Sequence, residues 1–173
     1  MNKTLIIGNA VALLASLFMV YSGILKKKNQ ILIAQNVQII LLIISNIILG
    51  GISGAISNTA GLIRNLLYQK KWLKMPIKIA LTLISSIIAI KLNTEGIIGY
   101  LPLLANAVYI FLMDLKDVKK FKLLLIATMT MWLIYDTLIK SYTSATFDFA
   151  TIVANIVVLI KMQKNKDKII NEK

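Results

Sequence analysis

Apolar runs of roughly 18 residues or more, each closed by a short polar or basic break, recur along the whole chain, the pattern of membrane-spanning helices. The first runs over about Leu5–Leu25 and meets Lys26-Lys27-Lys28. The second, about Ile31–Leu49, ends at Gly50-Gly51, a pair suited to a tight turn. The third covers about Ile52–Tyr68 and is followed by a basic connector in which Trp72 suits the interfacial aromatic belt. Pro76 opens the fourth, about Pro76–Leu92, in the first turn where proline is tolerated. Asn93-Thr94-Glu95-Gly96 forms the next turn, and further spans are predicted at about Ile97–Leu115, Phe121–Ile139 and Ala145–Ile160. The charged tail after Lys161 is expected to fray.

Loop charge tests that division, because lysine and arginine concentrate in cytoplasmic loops. With seven spans, alternate connectors and the C-terminal tail hold sixteen basic residues, the opposite set holds only Lys3, Lys91 and Lys140, and Arg64 falls inside a span. A miscounted helix would scramble this alternation. It predicts a multi-pass membrane protein, with the N-terminus outside and the C-terminus cytoplasmic.

Composition agrees: 58% of the 173 residues are hydrophobic and only 16% charged, with a mean hydropathy of +0.78. A soluble core of this size could not hide so much Ile and Leu. The formal charge of +13 would suggest nucleic acid in a soluble protein, but the basic residues sit in short loops without interleaved aromatics, so no nucleic-acid partner is expected. The expected partners are the lipid bilayer and anionic lipid headgroups at the basic loops. The chain has neither cysteine nor histidine, which removes disulfides, Cys/His metal sites and histidine acid–base chemistry. Neither a phosphate loop nor a catalytic triad appears. No cofactor and no enzymatic activity are expected. The N-terminal apolar run is too long for a signal peptide and ends in a stop-transfer lysine cluster, so it reads as a retained helix.

The chain also resembles itself. A shift of about 90 residues lays Ile6-Ile7-Gly8 on Ile97-Ile98-Gly99 and Lys27-Lys28 on Lys119-Lys120. With a one-residue adjustment, Asn58 meets Asp148 and Asn65 meets Asn155. The fourth span has no counterpart. The expected fold is therefore all-α, seven transmembrane helices in a 3+1+3 plan. An odd number of helices in each unit, plus one linker, makes the repeats parallel. The division is 1–69 for the first triple-helix bundle, 70–95 for the connector and linking helix, 96–163 for the second bundle and 164–173 for the charged tail.

The third span, GAISNTAGLIRNLLY, combines small residues with asparagine and an Ile-Arg step. With the Leu101-Pro102 step of the fifth span, and Asn155 before a basic Met-Gln-Lys end in the seventh, it resembles the bacterial YgjV-type inner-membrane protein family. That family is similar to the SWEET, PQ-loop and vitamin-uptake transporters. The resemblance implies a small-solute carrier with Asn65 and Asn155 lining a central pocket. The prolines that flex SWEET helices are absent here except for Pro102, and so is the proline-glutamine signature.

Read from the residues, Asn58, Asn65, Asp148, Asn155 and Trp132 are the candidate substrate-binding set, because polar groups in hydrocarbon must face the bundle interior. Each asparagine has a plainer role as a bridge between helices. Asp136 is a candidate coupling residue whose plainer role is an ion pair with Lys140, four positions on. Asp148 could simply cap the start of its helix. Arg64 is a candidate gate or anionic-substrate contact that also lies within snorkelling reach of cytoplasmic headgroups. Asn46, Asn106, Thr128 and Thr130 read as helix–helix contacts, Gln35 and Gln38 as partly hydrated, and Gly54, Ser57 and Gly61 as close-packing positions. The function expected is transport of an unknown small neutral or zwitterionic solute by rocking of two bundles. The alternative is a non-transporting membrane protein such as an assembly factor, sensor or lipid-interacting scaffold. An oligomer is compatible with either.

Overall fold

A computed structural model of the protein describes residues 3–24, 28–115 and 117–171. Lys26, Lys27, Lys116 and Lys173 of the basic connectors and tail lie outside the described residues. Seven α-helices follow one another: α1 (Lys3–Ile24), α2 (Lys28–Leu49), α3 (Ile52–Gln69), α4 (Met75–Leu92), α5 (Tyr100–Leu112), α6 (Val118–Leu138) and α7 (Tyr142–Asn171). A 3-10 turn, Gly96–Gly99, leads into α5, and no strand occurs among the described residues. Two boundaries differ from expectation. α7 begins before Ala145 and stays helical through the charged tail to Asn171. Pro102 stands in the first turn of α5, where its missing N–H costs nothing, and so is no mid-helix hinge.

By length and composition four helices can cross a bilayer: α1, α4, α6 and α7. The apolar stretches Ile33–Leu49 and Gly96–Leu112 fall just short in length, and α3 is too polar. α1 packs on α2 and α7, α3 on α2 and α5, and α6 on α5 and α7, so six helices close a ring; α4 packs on α3 and α5 from outside. Ser53, Ser57 and Asn65 of α3 are buried in the interior, which lowers the hydropathy of that helix without exposing them to lipid.

The interior is built from small side chains. Ala12, Ala15, Ala55, Ala60 and Ala105 are buried together with Ser16, Ser45, Ser53 and Ser57, whereas Ile, Leu, Val and Phe crowd the outer surface. Small residues let helix backbones approach, which is how helices associate where lipid is as apolar as leucine. Space is tight around Gly54: a Cβ there would lie 2.6 Å from Tyr135 Cε1 and 2.9 Å from Asn46 Nδ2. α4 is pinned by a salt bridge between buried Lys78 and Asp114.

The hairpin turns repeat at a spacing of 90 residues. After α2, the Gly50 N–H donates to Ile47 O (3.2 Å) and the Gly51 N–H to Asn46 O (2.8 Å). After α6, the Lys140 N–H donates to Thr137 O (3.2 Å) and the Ser141 N–H to Asp136 O (2.8 Å). Both are Schellman endings, which need a left-handed residue. Gly50 supplies it at φ +81°, and Lys140 at φ +64° despite its side chain.

The next turn of each hairpin is capped from elsewhere in the chain. The Ser53 N–H donates to Glu95 Oε1 (3.0 Å). Ninety positions on, the Thr143 N–H donates to Asn9 Oδ1 (3.0 Å). The Gly54 N–H donates to Tyr135 Oη (2.8 Å). These free first-turn amides would otherwise be unsatisfied.

Two stability outcomes follow. Lys140→Gly relieves the left-handed strain and stabilises the fold by about 1 kcal/mol. Gly54→Ala forces buried Tyr135 aside and destabilises it by about 1–3 kcal/mol. Thermal unfolding in nanodiscs, followed by circular dichroism, reads both signs.

Candidate functional site

The ring encloses a cavity of about 320 Å³, and all six ring helices contribute to its wall while α4 contributes nothing. Most wall residues fall into pairs 90 positions apart. Ser16 pairs with Asn106 and Met19 with Tyr109; Gln38 pairs with Thr128 and Leu42 with Trp132. Asn46 pairs with Asp136, Asn58 with Asp148, and Gly61 with Thr151. The spacing holds on α1 and α5 as well, one residue off the overlay of Ile6-Ile7-Gly8 on Ile97-Ile98-Gly99.

Near the Gly50 end of the cavity stand Asp136 on α6 and Asp148 on α7, neighbours on its wall. Asp148 Oδ2 is buried with no partner among the described residues. The expected pairing of Asp136 with Lys140 does not form; the only salt bridge among the described residues is Lys78–Asp114. The left-handed Lys140 breaks the helix before an i,i+4 geometry exists. Nor does Asp148 cap α7, since it lies six residues past Tyr142 and the first turn is held by Asn9. Trp132 meets Tyr135 edge-on, with ring centroids 5.8 Å apart.

Toward the opposite end, Arg64 turns back along α3, as helical side chains do. A Cβ on Gly61 would lie 3.7 Å from its Nη2. Arg64 therefore stands on the cavity wall and does not snorkel to headgroups. Nη1 donates to Asn106 Oδ1 (3.2 Å), and Nη2 and Nε donate to Asn65 Oδ1 (3.1 and 3.3 Å). The guanidinium also lies over the Tyr109 ring, 4.6 Å from its centroid. The Asn65 amide donates onward to Asn36 Oδ1 (3.3 Å).

Six of the seven predicted site residues thus share one cavity: Asn58, Asn65, Arg64, Trp132, Asp136 and Asp148. Asn155 does not line it. Its Oδ1 accepts from Lys122 Nζ (3.2 Å), and its Nδ2 donates to Thr151 O (2.8 Å). Gly61 faces the cavity and packs against no other helix side chain. Asn46, Asn106 and Thr128 also line the wall, beyond the contact roles their positions suggested, and so do Gln35 and Gln38, expected to be partly hydrated. The 90-residue spacing alone would have found Asn46, as the counterpart of Asp136. Glu95 and Tyr135 carried no such signal, because what marks them is the distant amide each one satisfies.

Since the other half of the ring already holds amides at the matching positions, the carboxyl pair is replaceable by amides. The double change Asp136→Asn with Asp148→Asn is expected to stay within about 1 kcal/mol of the native stability. Asp136→Leu, which strands Asp148, is expected to cost about 1–3 kcal/mol. Unfolding in nanodiscs followed by tryptophan fluorescence separates the two.

No curated protein and no solved structure matches the chain. A family model described as a bacterial inner membrane protein, Imp-YgjV, matches residues 6–166. Spanning nearly the whole ring and its cavity, that match places the chain in the YgjV family of bacterial inner membrane proteins.

Proposed function

We propose that the protein is a seven-span carrier or facilitator of a small neutral or zwitterionic solute. It works by rocking α1–α3 against α5–α7 about the central cavity. The observation that carries this reading is the cavity itself: about 320 Å³, polar at intervals and walled by matched positions of both halves. That volume is at the small-ligand scale. Ser57 Oγ and Asp148 Oδ2 are buried on its wall without a partner among the described residues. A bound solute would satisfy them. Packing within each triplet is more extensive than across the α3–α5 and α7–α1 seams, which suits rigid triplets moving at two seams. In this reading the repeats are parallel, α4 is the linker, and the plan is SWEET-like. No catalytic set is assigned.

Charge supports an orientation with the Gly50 end outside and the lysine-rich end cytoplasmic. The basic end would also attract anionic lipid.

The natural chain has no cysteine, so single cysteines report access cleanly. Ser57→Cys on α3 and Thr128→Cys on α6 are expected to react with a membrane-impermeant maleimide from either face of oriented vesicles. Proteoliposomes are expected to take up at least one member of a panel of sugars, amino acids, short peptides and vitamins. Thiols that never react from one of the two faces, together with no uptake, would reject the carrier reading in favour of a scaffold or sensor.

A further inference from the structure

Charge breaks the match between the two halves of the cavity. Among its wall residues only Arg64, Asp136 and Asp148 are ionisable as acid or strong base. Ninety positions from the two aspartates stand Asn46 and Asn58, and ninety from Arg64 stands Ala154, which is off the wall. A symmetric amide-lined cavity has thus acquired a cation toward one end and an acid pair toward the other.

The guanidinium has no carboxylate partner among the described residues; its neighbours are two amide oxygens and the Tyr109 ring. A cation out of water calls for an anion, and a planar fork favours a carboxylate held in two-point contact. At the other end, Asp148 Oδ2 lacks a donor, and an ammonium group would supply one.

The separation of the two ends sets the size of the occupant. Asp148 lies level with Asn58, and Arg64 is six residues farther along α3, about 9 Å at 1.5 Å per residue. The guanidinium folds back toward Gly61, which brings the separation along the helix axis to roughly 5–9 Å; the width of the cavity between α3 and α7 adds to it, so this is a lower bound. In an α-amino acid the amine nitrogen and carboxyl carbon are only about 2.5 Å apart, and each further peptide residue adds about 3.5 Å. A single α-amino acid falls short even of the axial separation, and a dipeptide is the shortest peptide that reaches it.

From this we infer that the solute is a short zwitterionic peptide of at least dipeptide length, its carboxylate on Arg64 and its ammonium on the Asp136–Asp148 pair. The inference rests on the carrier reading and narrows its substrate class. Trp132, and Phe147 beside Asp148, provide apolar wall surface for side chains.

Calorimetry on the full chain in nanodiscs tests it, with glycine, Ala-Ala, N-acetyl-Ala-Ala, Ala-Ala amide and glucose as probes. Ala-Ala is expected to bind at least tenfold more tightly than each of the others. Arg64→Gln is expected to abolish the preference for the free carboxylate, so that Ala-Ala and its amide bind alike, and to keep the preference for the free amine. Asp148→Asn should do the converse. Selective losses of this kind do not come from misfolding, and Arg64→Lys, keeping the charge without the fork, should retain part of the carboxylate preference.

Equal binding of free and capped dipeptides, or preference for glycine or glucose, overturns the inference and leaves the carrier reading standing. So does failure of every probe to bind while the cavity cysteines still react from both faces. Failure of all probes together with one-faced cysteines overturns both.

Discussion

The first-turn amides of α3 and α7 are held by side chains from other parts of the ring, and the architecture hangs on those contacts. Glu95 reaches Ser53, and Asn9 reaches Thr143. In hydrocarbon a free amide has no water to turn to. Each hairpin must therefore dock on its neighbour, and the two docking seams, α3 on α5 and α7 on α1, are the ones that close the ring. Tyr135 adds a contact to Gly54, which is open only because a glycine leaves room for the phenol.

Closing the ring inverts the usual distribution of side chains. Large aliphatics face lipid, small residues let the helices touch, and polar side chains can satisfy each other only at the centre. The result is a cavity and not a filled core, because alanine, serine and glycine do not occupy the volume that leucine would. The cavity's polarity follows from the same constraint that forms the ring.

The near-match of the two halves makes their differences informative. Where one half carries Asn46 and Asn58, the other carries Asp136 and Asp148 at the same places on the wall. The backbone geometry is indifferent to the exchange, since the turns beside these residues have the same hydrogen bonds. Charge was therefore free to vary without a change of fold. Asn65 and Asn155 diverged in another way: next to Arg64 the amide joins the wall, whereas next to Ala154 it is drawn to Lys122 instead.

Much of this was legible in the residues. Hydropathy and the alternation of basic loops located seven helices, because the length of an apolar run and the charge of a loop are local quantities. The repeat was visible because its marks, Gly50-Gly51 against Lys140-Ser141 and Asn58 against Asp148, recur at one spacing. Direction was another matter. Arg64 looked close enough to the headgroups to snorkel, Asp136 looked paired to Lys140, and Asp148 looked like a cap. Each depended on where a neighbouring helix lay or on a single left-handed residue. The sequence by itself determined the helices, their membrane character, the repeat and the family. Only the tertiary structure decided that α4 stands outside the ring, that Arg64 and the aspartates share one cavity, and that Asn155 is turned away from it, because those outcomes arise from contacts between residues far apart in the chain.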